Sequence, residues 1–146
     1  MADKPITIDM TDAAEIGPLD ATIPYIFAIS KWDYGEKNGE ANVAATFDVV
    51  KPEGINQKVF DTINLINKNT KTRAINILAA TGEFGTKEDI KGNKKFQMPK
   101  TEEMMGLQFG ATVKTRGSEQ FGDRSEIRRC FTVEVYEEQV AEASGV

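Results

Sequence analysis

Histidine is absent from the 146 residues of this chain, and cysteine and tryptophan each occur once. Without histidine there is no imidazole base, no histidine-dependent triad and no histidine-ligated zinc site. The single cysteine, Cys130, cannot form an intramolecular disulfide or a cysteine-rich metal site. The phosphate-binding GxxxxGK[ST] and GxGxxG motifs are also missing. These absences predict a protein that is not an enzyme and that needs no metal or cofactor.

Long apolar runs are missing as well. No stretch approaches the ~20 residues that span a membrane, and the first ten residues, MADKPITIDM, lack the apolar centre of a secretory signal. A lone cysteine also fits a reducing compartment. We therefore expect a soluble, intracellular protein without a membrane partner.

The net charge of −5 is unevenly distributed. Residues 1–22 contain five acids and one lysine, and residues 134–146 contain four acids and no base, which leaves 17 basic and 14 acidic residues between them. A mildly basic body between acidic ends is compatible with polyanion binding. A solvated surface of mixed charge explains the same distribution.

Alternating apolar residues predict five strands. In the third, Val59, Ile63 and Leu65 share one face, which Asp61 interrupts, whereas Phe60 lies on the other. In the fifth, the same alternation places Cys130 away from the core. The predicted strands are Thr22–Tyr34, Ala41–Val50, Gln57–Ile66, Leu107–Arg116 and Glu126–Tyr136.

One helix is predicted with particular clarity, directly after the third strand. Asn67–Thr70 supplies N-cap candidates, Ala74, Ile77 and Leu78 follow at helical spacing, and Gly82 suits a left-handed C-terminal position. Residues 83–105 are harder to assign. They contain one predicted helical turn at Lys87–Ile90 and a basic–aromatic run, Lys94-Lys95-Phe96, and we expect this connection to pack against the domain or to serve a function.

Three strands, one helix and two further strands is the chain order of the oligonucleotide-binding (OB) barrel. We therefore predict a mainly β, five-stranded OB-fold domain over residues 22–136. An N-terminal arm at residues 1–21 precedes it, and an acidic, flexible tail at residues 137–146 follows it. A five-stranded sheet with a helix packed across one face is the structural alternative.

Aromatic and basic residues occur where an OB barrel binds its ligand, across strands two and three and at the loops joining strands one to two and four to five. Bases of a single strand stack on aromatic rings, and lysine or arginine neutralises phosphates. Trp32 could instead cap the core, and Phe60 could pack under the helix. The stacking candidates are Trp32, Tyr34, Phe60 and Phe121; the phosphate-contact candidates are Lys31, Lys58, Lys114, Arg116, Arg124 and Arg128.

Two carboxylates offer an enzymatic alternative. Asp48 and Asp61 lie on neighbouring predicted strands and could hold Mg²⁺ for phosphodiester cleavage. No third acid or activating lysine follows at a recognisable spacing. A solvent-facing Asp48 and a strand irregularity at Asp61 explain the same residues without catalysis.

Residues 54–80, GINQKVFDTINLINKNTKTRAINILAA, resemble a family of small bacteriophage proteins long catalogued as domains of unknown function. The shared pattern is a glycine, a basic step, Val-Phe-Asp, an asparagine-containing strand end and a helix rich in alanine and leucine. Lys58 stands where the family usually has arginine, which keeps the charge but loses the planar fork. The matching residues are Gly54, Lys58, Val59, Phe60, Asp61, Asn64 and Asn67.

The resemblance implies an OB fold and single-stranded-DNA binding with little sequence preference, in a phage replication or recombination module. It implies the cytoplasm of the infected host as location and a phage recombinase, helicase or primase as protein partner. Whether the protein forms a homo-oligomer is left open. The remaining alternative is a phage structural or protein-interaction module built on the same barrel.

Overall fold

Residues 19–116 and 124–143 are described by the structure, a computed structural model. Within these ranges five strands and four helices follow one another along the chain. The strands are β1 (Tyr25–Lys37), β2 (Glu40–Lys51), β3 (Lys58–Asn64), β4 (Gln108–Arg116) and β5 (Arg124–Phe131); the helices are α1 (Lys68–Thr81), α2 (Lys87–Gly92), α3 (Thr101–Met104) and α4 (Val133–Ala143).

The strands form one antiparallel sheet in the order β3-β2-β1-β4-β5. This confirms a mainly β protein with five strands and a helix directly after the third, although three helices rather than one lie between β3 and β4. The sheet is not closed into a barrel, because β3 and β5 form its two edges in the described part of the chain.

The β1–β2 hairpin turns at Asn38-Gly39, where both residues have positive φ (53° and 80°). Such two-residue turns match the right-handed twist of the flanking strands. Both strands therefore extend closer to the turn than predicted, since β1 continues to Lys37 and β2 begins at Glu40. Residues 31–34, expected at the end of the first strand where the loop begins, are therefore followed by three further residues of β1.

A bulge in β1 reverses the face on which the following residues lie. Ile29 pairs with Phe47 and Lys31 with Thr46, so that Ser30 is the extra residue. A bulge shifts the side-chain alternation by one position. Trp32 consequently shares the inner face with Ile29 and has no exposed surface.

The core lies between the inner face of the sheet and α1. Phe27, Phe47 and Phe109 form a cluster of rings with centroids 5.2–6.4 Å apart, and Ile77 and Leu78 of α1 are buried in the same core. The connection over residues 83–105 packs on this core, as expected, through the residues Ile90, Phe96, Met98 and Met104.

The ends of α1 follow the predicted capping. The side-chain oxygen of Asn67 accepts a hydrogen bond from the N–H of Asn69 at 2.9 Å. Gly82 takes the left-handed conformation at the C-terminus, with φ of 78°. Both features satisfy backbone groups that a helix end leaves without a partner.

A second bulge, in β5, corrects the orientation predicted for Cys130. Thr112 pairs with Arg129 and Val113 with Ile127, so that Arg128 is the extra residue. Cys130 therefore packs against the core rather than away from it. Burial, the largest influence, raises the pKa of its thiol to about 12.

The fifth strand ends at Phe131, not at Tyr136 as predicted, and α4 begins two residues later. Thr132 Oγ1 accepts a hydrogen bond from the N–H of Val135 at 3.3 Å, which is an N-cap geometry. Val133, Tyr136 and Val140 also have helical spacing, so the strand-like alternation was ambiguous. Helix α4 covers residues 137–143 of the predicted flexible tail.

Helix α4 packs on β1 and β4. Ile26 and Tyr136 are buried there without belonging to the inner core. Next to them Phe131 pairs with Gly110, and a Cβ at that glycine would lie 2.5 Å from the ring. The outer face of the sheet is thus covered on its β1–β4 side.

The predicted N-terminal arm lies almost entirely outside the described residues. Leu19 is buried, and its N–H donates to Ser125 Oγ at 2.7 Å, which fixes the entry of the chain beside β5. None of the helices described is long and apolar enough to span a membrane.

Candidate nucleic-acid interface

A row of three residues crosses the outer face of β1, β2 and β3. Lys31 pairs with Thr46, and Thr46 pairs with Phe60. Thr46 is almost covered, whereas the Phe60 ring is 69% exposed. The exposed ring therefore lies on the same face as the exposed Lys31.

The inner face of β3 determines the position of Phe60. Val59 and Ile63 are buried against the core, and successive side chains of a strand point to opposite faces. Lys58, Phe60 and Thr62 must then point outwards. The ring does not pack under α1, the packing alternative that the sequence left open.

A second row on this face contains an ion pair. Lys58 Nζ lies 2.8 Å from Asp48 Oδ1, and Ser30 Oγ donates to the same oxygen at 2.9 Å. Burial alone would raise the pKa of Asp48, but the hydrogen bonds from Lys58 and Ser30 and the lysine charge hold it below its usual value. Because Lys58 is exposed and Asp48 is partly exposed, the pair contributes little to stability.

Tyr34 and Trp32 form a hydrogen-bonded pair at the inner side of β1. Trp32 Nε1 donates to Tyr34 Oη at 2.9 Å, and the Tyr34 hydroxyl donates to the carbonyl oxygen of Pro99. A ring without exposed surface cannot stack on a base, so Trp32 takes its alternative role of packing in the core. Tyr34 remains 40% exposed, and burial raises the pKa of its hydroxyl, which stays protonated at neutral pH.

An ionic network connects α1 to both edges of the sheet. Arg73 Nη2 lies 2.8 Å from Asp61 Oδ1 on β3, and Arg73 Nη1 lies 3.6 Å from Glu126 Oε1 on β5. Lys114 Nζ lies 3.7 Å from the same Glu126 oxygen. Lys114 is exposed, but part of its charge is already compensated inside the protein.

The two carboxylates of the nuclease alternative do not form one site. Asp48 pairs with Lys58 on the outer face, whereas Asp61 shares the parity of the buried Val59 and binds Arg73. Residues on opposite faces of a sheet cannot share a metal ion. Over residues 19–116 and 124–143, no three histidine, cysteine or acidic side chains are grouped to hold one.

The predicted residues of the β4–β5 side are not part of the row of paired residues that contains Phe60. Arg128 is exposed and lines a cleft of about 230 Å³ with Arg73 and Lys114. Arg116 and Arg124 pair with each other at the ends of β4 and β5, although their side chains are not described. Phe121 lies outside the described residues altogether.

The structure thus brings Lys31, Lys58 and Phe60 together on one face. It adds Ser30 and Asp48, of which sequence reasoning had considered only Asp48, and for a different role. Arg73 was missed, since no local pattern signals a residue whose partners come from two separate strands.

No protein-family model matches this sequence, and no curated protein matches it significantly.

Proposed function

We propose that the protein binds single-stranded DNA with little sequence preference through the outer face of β1–β3. The observation that carries the proposal is Phe60, a ring 69% exposed on the same face of the sheet as Lys31 and Lys58. Stacking of a base on an aromatic ring is worth ~1–3 kcal/mol, and every base offers a face for it. Lys31 and Lys58 supply the sequence-independent contacts to phosphate.

An OB fold is part of this proposal. The OB barrel is partly open, and a barrel with these strand neighbours would close where β3 meets β5. Cα atoms of the two edge strands approach within 8 Å of each other, and Arg73 bridges Asp61 and Glu126 across the gap. These contacts support an OB barrel in which side chains connect β3 to β5.

Asp48 modulates the contribution of Lys58 to DNA binding. In the free protein it holds Lys58 at 2.8 Å, and a DNA phosphate would compete for the same ammonium group. Binding therefore exchanges one ion pair for another, which limits the affinity gained from this lysine. The biological setting we propose is a phage replication or recombination module in the host cytoplasm, with a recombinase, helicase or primase as partner.

The test is fluorescence anisotropy of labelled oligo-dT titrated with the protein at several salt concentrations. We expect micromolar or tighter binding at low salt, with log K falling by ~0.7 per phosphate contacted for each tenfold rise in salt. Intrinsic tryptophan fluorescence is unsuitable, because Trp32 is buried. Absence of binding at low salt would refute the proposal.

Two matched pairs of variants locate the site. Phe60→Ala should weaken binding, whereas Ile66→Ala, which truncates another exposed apolar residue (56%), should not. Lys58→Ala should weaken binding and reduce its salt dependence. Lys51→Ala removes an equally exposed, ion-paired lysine near α4 and should leave binding unchanged.

A further inference from the structure

A groove of about 550 Å³ lies between α1, α2 and the segment that follows α2. It shares no residue with the proposed DNA-binding face. Its floor is apolar, with Leu65, Ile75, Ile90, Phe96 and Met98 among its lining residues. Four lysines stand around this floor: Lys68, Lys71, Lys91 and Lys94.

These four groove lysines have no acidic partner among the described side chains, although Lys51, Lys58 and Lys114 on the sheet all do. Helix α1 contains no acidic residue to offset them. Like charges around an apolar floor favour an anionic occupant that also carries apolar groups.

Helix α4 presents a surface of that chemistry. Glu134, Glu137 and Glu138 are exposed and lie on one stripe of the helix, because their spacing is three and four residues. Val140, at the border of this stripe, is 41% exposed. No ion pair joins these glutamates to the groove lysines within one molecule, as far as residues 19–116 and 124–143 show.

From this complementarity we infer that the groove of one copy binds the acidic face of α4 of a second copy. The floor is mostly aliphatic and contains a single ring, Phe96, so it suits Val140 and the glutamate stems better than stacked bases. The two surfaces are different, so the contact is heterologous and can repeat head to tail.

The contact is weak and sensitive to salt, because ion pairs at an exposed rim contribute little each. The biological role of this contact rests on the proposed function. Copies bound next to each other on one DNA strand are at high effective concentration, and this contact would then make coating of the strand cooperative.

Sedimentation velocity without DNA tests the contact itself. At low salt we expect species larger than the monomer that grow with protein concentration. In about 1 M NaCl, where the Debye length is about 3 Å, only the monomer should remain. A monomer at every concentration in low salt would overturn the inference.

A charge exchange tests the assignment of the two surfaces. Lys91→Glu/Lys94→Glu and Glu137→Lys/Glu138→Lys should each be monomeric, because each confronts like charges. An equimolar mixture should associate, since the unchanged groove of one variant then meets the unchanged α4 of the other. Lys37→Glu/Lys95→Glu, with the same change in net charge outside the groove, should associate as the unmodified protein does. Failure of the mixture, or association of either variant alone, would contradict the inference.

DNA binding is measured separately, on oligo-dT of about 12 nucleotides, within the size of one site, and of about 60 nucleotides. Both charge variants should bind the short strand as the unmodified protein does and lose cooperativity on the long one. Loss of short-strand binding only in the lysine variant would show that the groove binds DNA, and would overturn the inference. Association without any DNA binding would refute the proposed function alone.

Discussion

The two halves of the outer face of the sheet differ in how far other parts of the protein cover them. On the β1–β4 half, α4 covers Ile26, and Phe131 lies over Gly110. On the β2–β3 half no described helix covers the face, and Phe60 remains 69% exposed. Burial of a phenylalanine side chain stabilises a protein by about 1.5–3 kcal/mol, and the open half forgoes this gain. The difference supports the proposal that Phe60 contacts a ligand.

The largest effect should follow truncation in the covered half. Ile26→Ala removes a side chain that is only 2% exposed and should lower the free energy of unfolding by about 2–5 kcal/mol, as for other buried isoleucines. Urea denaturation measures this loss. Ile66→Ala, at an exposed position, should change stability by less than about 0.5 kcal/mol. Equal effects at the two positions would show that α4 does not cover Ile26.

A glycine substitution probes the same half through overpacking. In Gly110→Ala the new Cβ would lie 2.5 Å from the Phe131 ring, and displacing the ring should cost about 1–3 kcal/mol. Gly92→Ala is the control, because nothing lies within 4 Å of its Cβ position. Thermal unfolding of both variants gives the comparison, and an unchanged Gly110→Ala melting temperature would contradict it.

In the open half, Phe60→Ala should affect binding rather than folding. We expect oligo-dT affinity to fall by about 1–3 kcal/mol, the value of one stacked base. Stability should change by less than about 0.5 kcal/mol, as at other exposed positions. Anisotropy and urea denaturation measure the two quantities. A large loss of stability would mean that the ring is buried and that the two halves do not differ.

The smallest effect concerns Asp48→Asn. Its pKa is lowered in the folded state, so its stabilising contribution is present above the unfolded pKa of about 3.9 and is lost as pH falls through the folded pKa. At pH 7 the variant should be less stable by under about 1 kcal/mol, because the pair is exposed, and the difference should vanish in acid.

The same substitution should strengthen DNA binding, because Lys58 is released for phosphate. The salt dependence should then rise by up to ~0.7 in slope, the value of one phosphate contact on a single strand. Weaker binding of the variant would mean that Asp48 positions Lys58 for DNA rather than competing with it.

Local pattern was enough to predict much of this fold. The split between Val59 and Ile63 inside and Phe60 outside follows from strict alternation, and the caps at Asn67 and Gly82 follow from residue type. The Asn38-Gly39 turn was also readable in principle, because this dipeptide is the strongest short hairpin signal and lies between the predicted strands Thr22–Tyr34 and Ala41–Val50.

The errors come from bulges and from contacts between distant elements. Ser30 and Arg128 are each the extra residue of a bulge. Beyond each bulge, the side chains point to the opposite face from the one that strict alternation predicts. Cys130 was therefore assigned to the wrong side, and strand alternation could not select between the two roles left open for Trp32. The position of a bulge depends on the twist of the neighbouring strands rather than on local hydrophobicity. The pairing of Arg73 with β3 and β5 has the same non-local origin.

The partly buried thiol of Cys130 makes the protein convenient to label. With a pKa of about 12, its thiolate fraction at pH 7 is on the order of 10⁻⁵, and thiolate is the species that reacts with maleimides. A cysteine introduced at an exposed position, such as Lys37→Cys at the hairpin tip, would carry a fluorophore with almost no background. Energy transfer from that dye to the end of a bound strand would then give the polarity of the DNA.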